Sequence, residues 1–406
     1  MAVKSSARAV AGRILSIVPE SVVGRILPAS YRFDASAVVA PPPLDGSTRL
    51  IIAPVNYAGQ AFEWCRAVER FGSSIGAQNM MIRMPGDFRH QADYVVPVGA
   101  YAASGAWHRR WSRHVMSRAT HVIVEAQKQP LGAILHDDTR AQIGRIREAG
   151  IQVAMLCHGS DIRLPSRHAQ RESDSPFADP SDRVTTQLEA NATRNARLLA
   201  SLDLPLFVST PDLLVDVPAA TWVPVVVRAA PWACSDAPMA RPVPVVVHVP
   251  SSAWIKGSEL IEPTMRALHD RGLIEYRRLE GVPHEQMPDM YRGADIVLEQ
   301  FRIGNYGVAA CEAMAAGRVV VGYVNQQVRG VVAEQTGRSL PIVQSRASEI
   351  EAVVLGLLED RGGARTIAAA GPEFVREVHD GRLSAAALAP FLLADEAPST
   401  HGSEAP

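Results

Sequence analysis

The stretch GNYGVAACEAMAAG, residues 304–317, sets three glycines and Glu312 between apolar runs. A carboxylate on an Ala-rich helix costs several kcal/mol if it is desolvated and unpaired. Glu312 therefore needs a partner that the stretch does not supply, either the hydroxyls of a bound sugar or an arginine elsewhere in the chain. Gly304, Asn305, Tyr306, Gly307 and Val308 form the turn into that helix, where free backbone N–H groups can face an anion. A second group lies in HVPSSAWIKG. Ser251 and Ser252 offer hydroxyls and Lys256 an ammonium, suited to a diphosphate, unless Lys256 is simply a solvated loop lysine. In CHGSDIR, His158 either donates to a substrate oxygen or sits in a turn capped by Asp161. No second His or Cys at ligand spacing supports a metal there. Asn56 and Gly59, in APVNYAGQ, form a glycine-bearing loop without the GxGxxG of a dinucleotide site.

All four groups follow apolar runs that read as buried strands. TRLIIAPV precedes Asn56, and a loop and helix follow it. The alternation continues through QNMMIRM, ADYVVPV, a polar helix over 107–118, THVIVEA, a helix near 138–149 and IQVAMLC, which precedes His158. Residues 229–244, rich in Pro and Ala, read as a linker. The pattern then restarts with VPVVVHVP, a helix over 258–271, IEYRRLEG, a helix near 284–292, ADIVLEQ, the helix over 307–316 and RVVVGYV. Strands spaced by helices predict doubly wound parallel sheets. Two such units, 48–228 and 245–393 with a C-terminal helix, would face each other across a cleft, with ligands at the carboxyl ends of the strands.

The chain has 406 residues, 47% hydrophobic and 20% charged, with a formal net charge of −1. That is long enough for two cores and lacks the basic excess that nucleic acid demands. Cys65, Cys157, Cys234 and Cys311 are scattered without CxxC spacing and read as reduced thiols in a cytoplasmic protein. No run is long enough to span a bilayer. Residues 1–47 form a basic arm, within which 1–33 carry apolar residues at near-helical spacing. That arm either contacts an anionic membrane surface or packs on a neighbouring unit. Residues 394–406 read as a disordered tail.

Taken together, these stretches resemble the retaining, nucleotide-sugar-dependent glycosyltransferases of GT-B architecture (glycosyl transferases group 1), over roughly residues 48 to 390. CEAMAAGRVVVG matches the later half of the family signature, with Val319 where proline is usual. Gly304 stands where the first signature glutamate would be. The resemblance implies two Rossmann-like domains and transfer of a hexose from a nucleoside-diphosphate sugar to an acceptor hydroxyl. It needs no metal or cofactor, and the acceptor is a cell-envelope glycan, a lipid-linked species or a small molecule. Under it, Glu312 binds the ribose, Lys256 holds the diphosphate with Ser251 and Ser252 in place of a usual arginine, and His158 positions the donor sugar. The loop Asn56 to Gly59 and Asp161 would face donor and acceptor, and Gly281 and Val282 would border the base. Glu299 and Gln300 would compensate for Gly304 by position. As the sugar leaves, Lys256 and the amides of Gly307 and Val308 would stabilise charge on the β-phosphate. Front-face attack would then retain the anomeric configuration. The alternative is a catalytically silent GT-B protein, suggested by Gly304 and the absent arginine.

Overall fold

The computed structural model describes Val22 and residues 27–133 and 138–393. The tail 394–406 and residues 1–21 and 23–26 of the basic arm lie outside the described residues. The apolar runs form two all-parallel sheets. The first contains β1 (Thr48–Ala53), β2 (Ile75–Arg83), β3 (Tyr94–Pro97), β4 (His121–Glu125), β5 (Gln152–Cys157), β6 (Leu206–Val208) and β7 (Thr221–Trp222), in spatial order 3-2-1-4-5-6-7. The second contains β8 (Val245–His248), β9 (Glu275–Arg278), β10 (Ile296–Leu298), β11 (Val319–Gly322) and β12 (Val343–Gln344), in order 12-11-10-8-9. β-Branched runs such as Val245 to Val247 and Val319 to Val321 are buried throughout, as sheets covered by helices on both faces require.

The strand order reverses beside β1 in the first sheet and beside β8 in the second. β1 pairs with both β2 and β4, and β8 with both β9 and β10. At such a switch point the loops leaving adjacent strands diverge and open a crevice. The loops after β1, β8 and β10 carry Asn56, Lys256 and the glycine turn, so the topology brings the sequence-selected groups to crevices.

Four features were not legible in the sequence. β6, β7 and β12 are two or three residues long, too short to display a period. The 18-residue helix Arg183–Ala200 has few buried positions and no strong apolar stripe. The last helix, Arg382–Leu392, expected with the second unit, packs instead on the first: Leu388, Phe391 and Leu392 join Leu50, Ile52, Trp64 and Val68 in one core. The Pro-rich segment 229–244 is pinned rather than slack. The Asp295 carboxylate accepts from the backbone N–H groups of Met239 (2.7 Å) and Val245 (2.8 Å), and Trp232 and Met239 are buried.

The helix that carries Glu312, Val308–Ala315, is held from behind by helix Arg361–Val378. A Cβ placed on Gly371 would lie 2.7 Å from the Met314 carbonyl oxygen. Only glycine admits this approach, and it presses the Glu312 helix against the second sheet.

Candidate active site

Lys256 ends the short helix Ala253–Lys256 after β8, and the Phe301 N–H donates to its carbonyl at 2.9 Å. The loops leaving β8 and β10 are thereby stitched together. The Lys256 ammonium forms an ion pair with Glu299, at the end of β10, with both side chains largely buried. Glu299 thus neutralises the cation that the sequence offers for a diphosphate. Ser251 lines the same cavity as Lys256; Ser252, exposed, does not.

Glu312 lies on the second turn of its helix and is buried. Its partner within the chain is a histidine and not an arginine. The His284 Nε2–H donates to Glu312 Oε1 at 2.9 Å. Burial pushes the Glu312 carboxyl above the usual carboxylate range, against the pull of His284 and Lys256. The hydrogen bond to Glu312 raises the His284 imidazole in turn. The His90 ring, from the first-sheet half, stands 4.7 Å from that of His284. Burial and the neighbouring His284 hold His90 down at about 4. Sequence reasoning reached the LEGVPHEQM loop for Gly281 and Val282 and passed over His284. The separation of 28 positions between His284 and Glu312 carries no periodic signal that would join them.

The glycine turn departs from expectation. Gly304 adopts a positive φ of 73°, and Gly304, Asn305 and Tyr306 are buried and do not line the cavity. Gln300 organises the turn: its amide donates to the carbonyls of Asn305 and Tyr323, and its Oε1 accepts from the N–H groups of Arg302 (3.1 Å) and Ile303 (2.7 Å). The Tyr306 hydroxyl donates to His379 Nε2 at 3.3 Å. A Cβ on Gly304 would lie 2.8 Å from both Glu172 Oε1 and Asn325 Nδ2. Glu172 comes from the first-sheet half and accepts from the Tyr323 hydroxyl (2.6 Å) and Asn325 Nδ2 (2.8 Å). The signature position is therefore filled from across the cleft. Gly304→Glu should destabilise the protein by about 2 kcal/mol or more, because it adds a left-handed non-glycine residue and a second carboxylate beside Glu172. Thermal melts check this; a variant as stable as wild type would mean the turn is slack.

In the first-sheet half, Asp161 caps its own loop. Its carboxylate accepts from the N–H groups of His158 (3.0 and 3.2 Å) and Gly159 (2.6 Å). The His158 Nε2–H donates to Glu125 Oε1 at 3.0 Å. Glu125 is fully buried, and burial raises its carboxyl although His158 and the Val55 N–H draw it down. The His158 ring stacks 5.9 Å from Trp64 and meets the edge of Tyr57 at 5.0 Å. His158 thus sits one ring back from the cavity, with Tyr57 in front, and neither it nor Asp161 lines the space. Asn56 does line it, though its side chain is engaged: Nδ2 donates to the Gln91 carbonyl (2.8 Å) and Oδ1 accepts from the Phe62 N–H (3.1 Å). Gly59, with φ 75°, opens helix Gln60–Phe71 and lies close to His90.

A cavity of about 1030 Å³ runs between the two halves. Lys256, Glu312, His284, Ser251, Gly281, Val282 and Val308 bound it on one side, and Asn56, Tyr57 and His90 on the other. Gly307 caps the helix but is not part of the wall. Among the described residues no group of three or more His, Cys, Asp or Glu side chains could hold a metal ion, and no helix is long and apolar enough to cross a membrane. An ammonium and a carboxylate–imidazole pair on one wall can bind an anion and accept hydrogen bonds from hydroxyls.

No protein-family model matches the sequence, and no curated protein does. Similarity appears among solved structures. The sucrose-phosphate synthase of Thermosynechococcus elongatus superposes with a TM-score of 0.54 at 13% identity, covering 83% of this chain and 96% of that one. HepE of Anabaena, solved in complex with UDP and glucose, gives 0.52 at 14% identity over 82% and 96%. The catalytic domain of starch synthase IV from Arabidopsis thaliana, bound to ADP and acarbose, gives 0.51 at 10% identity over 85% and 98%. The fold of the chain is the two-domain GT-B fold of these glycosyltransferases.

Proposed function

We propose that the protein is a glycosyltransferase that moves a hexose from a nucleoside-diphosphate sugar to an acceptor hydroxyl, with retention of configuration, in the synthesis of a cell-envelope glycan or glycoconjugate. The observation that carries this reading is that Lys256 and Glu312, reached by separate loops at one switch point, share one wall of a cavity between two GT-B halves. HepE, of like fold, was solved with UDP-glucose as well as with UDP.

In this reading the diphosphate lies against Lys256, which keeps Glu299 as its second partner, and Glu312 accepts from the ribose hydroxyls. As the bond to the sugar breaks, charge grows on the β-phosphate. A preorganised ammonium and the Val308 amide at a helix start then hold that charge better than they hold the ground state. Retention follows if the acceptor hydroxyl attacks from the leaving-group face and gives its proton to the departing phosphate. His158, bound to Glu125 behind Tyr57, serves to position Tyr57.

Purified full-length protein, incubated with UDP-, GDP- and ADP-glucose, should release nucleoside diphosphate from at least one donor, and Glu312→Ala should not. Failure to bind any of the three removes the reading. A second reading, a silent nucleotide-sugar-binding protein, is favoured by Glu299 neutralising Lys256 and by the burial of Gly304. Binding without release under every acceptor condition would select it.

A further inference from the structure

We infer that the acceptor is an apolar alcohol, a hydroxyl carried on a hydrocarbon or aryl body, and that it occupies the first-sheet wall of the cavity. The inference rests on the transferase reading for the word acceptor. The subsite stands on its own observations.

The apolar part of that wall includes Tyr57, Ile82, Met84, Phe88, Val98 and Tyr101. Met84 is 50% exposed, Tyr57 47% and Phe88 43%. Large apolar side chains left open to water, gathered around one concavity, mark a binding surface for apolar matter. Exposed hydrophobic residues scattered singly would need no such explanation.

A saccharide would instead need free amides and carboxylates for its hydroxyls. Three polar side chains on this wall are already committed within the protein. Asn56 is bonded to Gln91 and Phe62, Asp87 is paired with Arg83 at 3.0 Å, and the Tyr101 hydroxyl donates to the Gln129 carbonyl at 2.8 Å. Burying further hydroxyls against this surface without partners would be unfavourable, whereas burying hydrocarbon is favourable. The space also suffices. At about 1030 Å³ the cavity is at the upper end of single-ligand sites, roughly 300–1,000 Å³, and so has room for an acceptor beside a donor.

The test is calorimetric titration of the full chain with farnesol, 2-naphthol and maltose, alongside uridine, guanosine and adenosine diphosphates. Saturable binding of farnesol or 2-naphthol is expected, with no binding of maltose. The preferred alcohol tells whether a chain or a ring fits. In the variant Met84→Ser with Phe88→Ser, both at exposed positions, alcohol binding should weaken at least about tenfold, as loss of burial for two apolar side chains implies. Nucleotide binding should stay as in wild type. Binding of maltose but of neither alcohol overturns the inference, as does alcohol binding that the double substitution leaves unchanged. Alcohol binding without binding of any nucleotide upholds the apolar subsite and counts against the transferase reading instead.

Discussion

Lys256→Met should lose donor turnover and folding stability together, and the two losses should come apart when Glu299 is also changed. The Glu299 side chain is only 4% exposed and its carboxylate is paired with Lys256. Removing one partner of such a pair leaves an uncompensated charge and typically costs about 3–5 kcal/mol. Inactivity of the single variant is therefore ambiguous. In Lys256→Met with Glu299→Gln both charges are gone and the shapes are kept, so most of the lost stability should return. Turnover should not return. Loss of one preorganised group facing the charge of a transition state costs on the order of 10²–10³ in kcat, and the double variant lacks the ammonium that would face the leaving diphosphate. Thermal melts and nucleoside diphosphate release read the two effects separately. A stable double variant with wild-type turnover would take Lys256 out of the chemistry.

The second large effect is in acid. His248 and His379 are fully buried, and burial lowers each imidazole to about 4. Each sits as one neutral tautomer. His248 Nδ1–H donates to the Leu298 carbonyl (2.9 Å) and its Nε2 accepts from the Ser258 hydroxyl (2.7 Å). His379 Nδ1–H donates to the Val225 carbonyl (2.7 Å), and its Nε2 accepts from Tyr306. Lys256 and Arg278 lower His248 further, with Leu298 and Glu262 opposing; Asp380 opposes the shift at His379.

A folded-state value below the unfolded one means stability that is complete above about pH 6.5 and is lost as pH falls through about 4. Each residue should contribute a loss of roughly 3 kcal/mol by pH 4. Glu125 and Glu312, whose carboxyls burial raises, act in the opposite direction, so the whole-protein profile mixes the two signs. Comparison with His379→Asn isolates the histidine term: the amide can still donate to Val225 but cannot take up a proton. Between pH 7 and pH 4 the wild type should lose roughly 3 kcal/mol more than the variant in denaturant melts. Parallel profiles would show that His379 titrates normally in the folded protein.

Of these residues, His379 belongs to the contacts that tie the two halves together. Tyr306 and His379 link the glycine turn to Val225, and Glu172 links the first-sheet half to Tyr323 and Asn325. The turn that the sequence assigns to donor binding is thus also where the halves are joined, which explains why Gly304, Asn305 and Tyr306 face inward. A carboxylate at position 304 would have no room beside Glu172.

The sequence by itself determined the parallel α/β class, the two-unit layout and the loops at the strand ends. It also showed that Glu312 must be paired. Those conclusions follow from local physics: runs of Val and Ile demand a covered sheet, glycines permit a tight turn, and a buried carboxylate requires compensation. Only the tertiary structure decided which partner each group meets. His284 reaches Glu312, Glu299 takes Lys256, Glu125 pairs with His158, and Glu172 crosses the cleft to the glycine turn. The last helix likewise docks on the first sheet and not the second. Such choices depend on which loops converge where strand order reverses, and spacing along the chain does not encode contacts made between loops that are far apart in it.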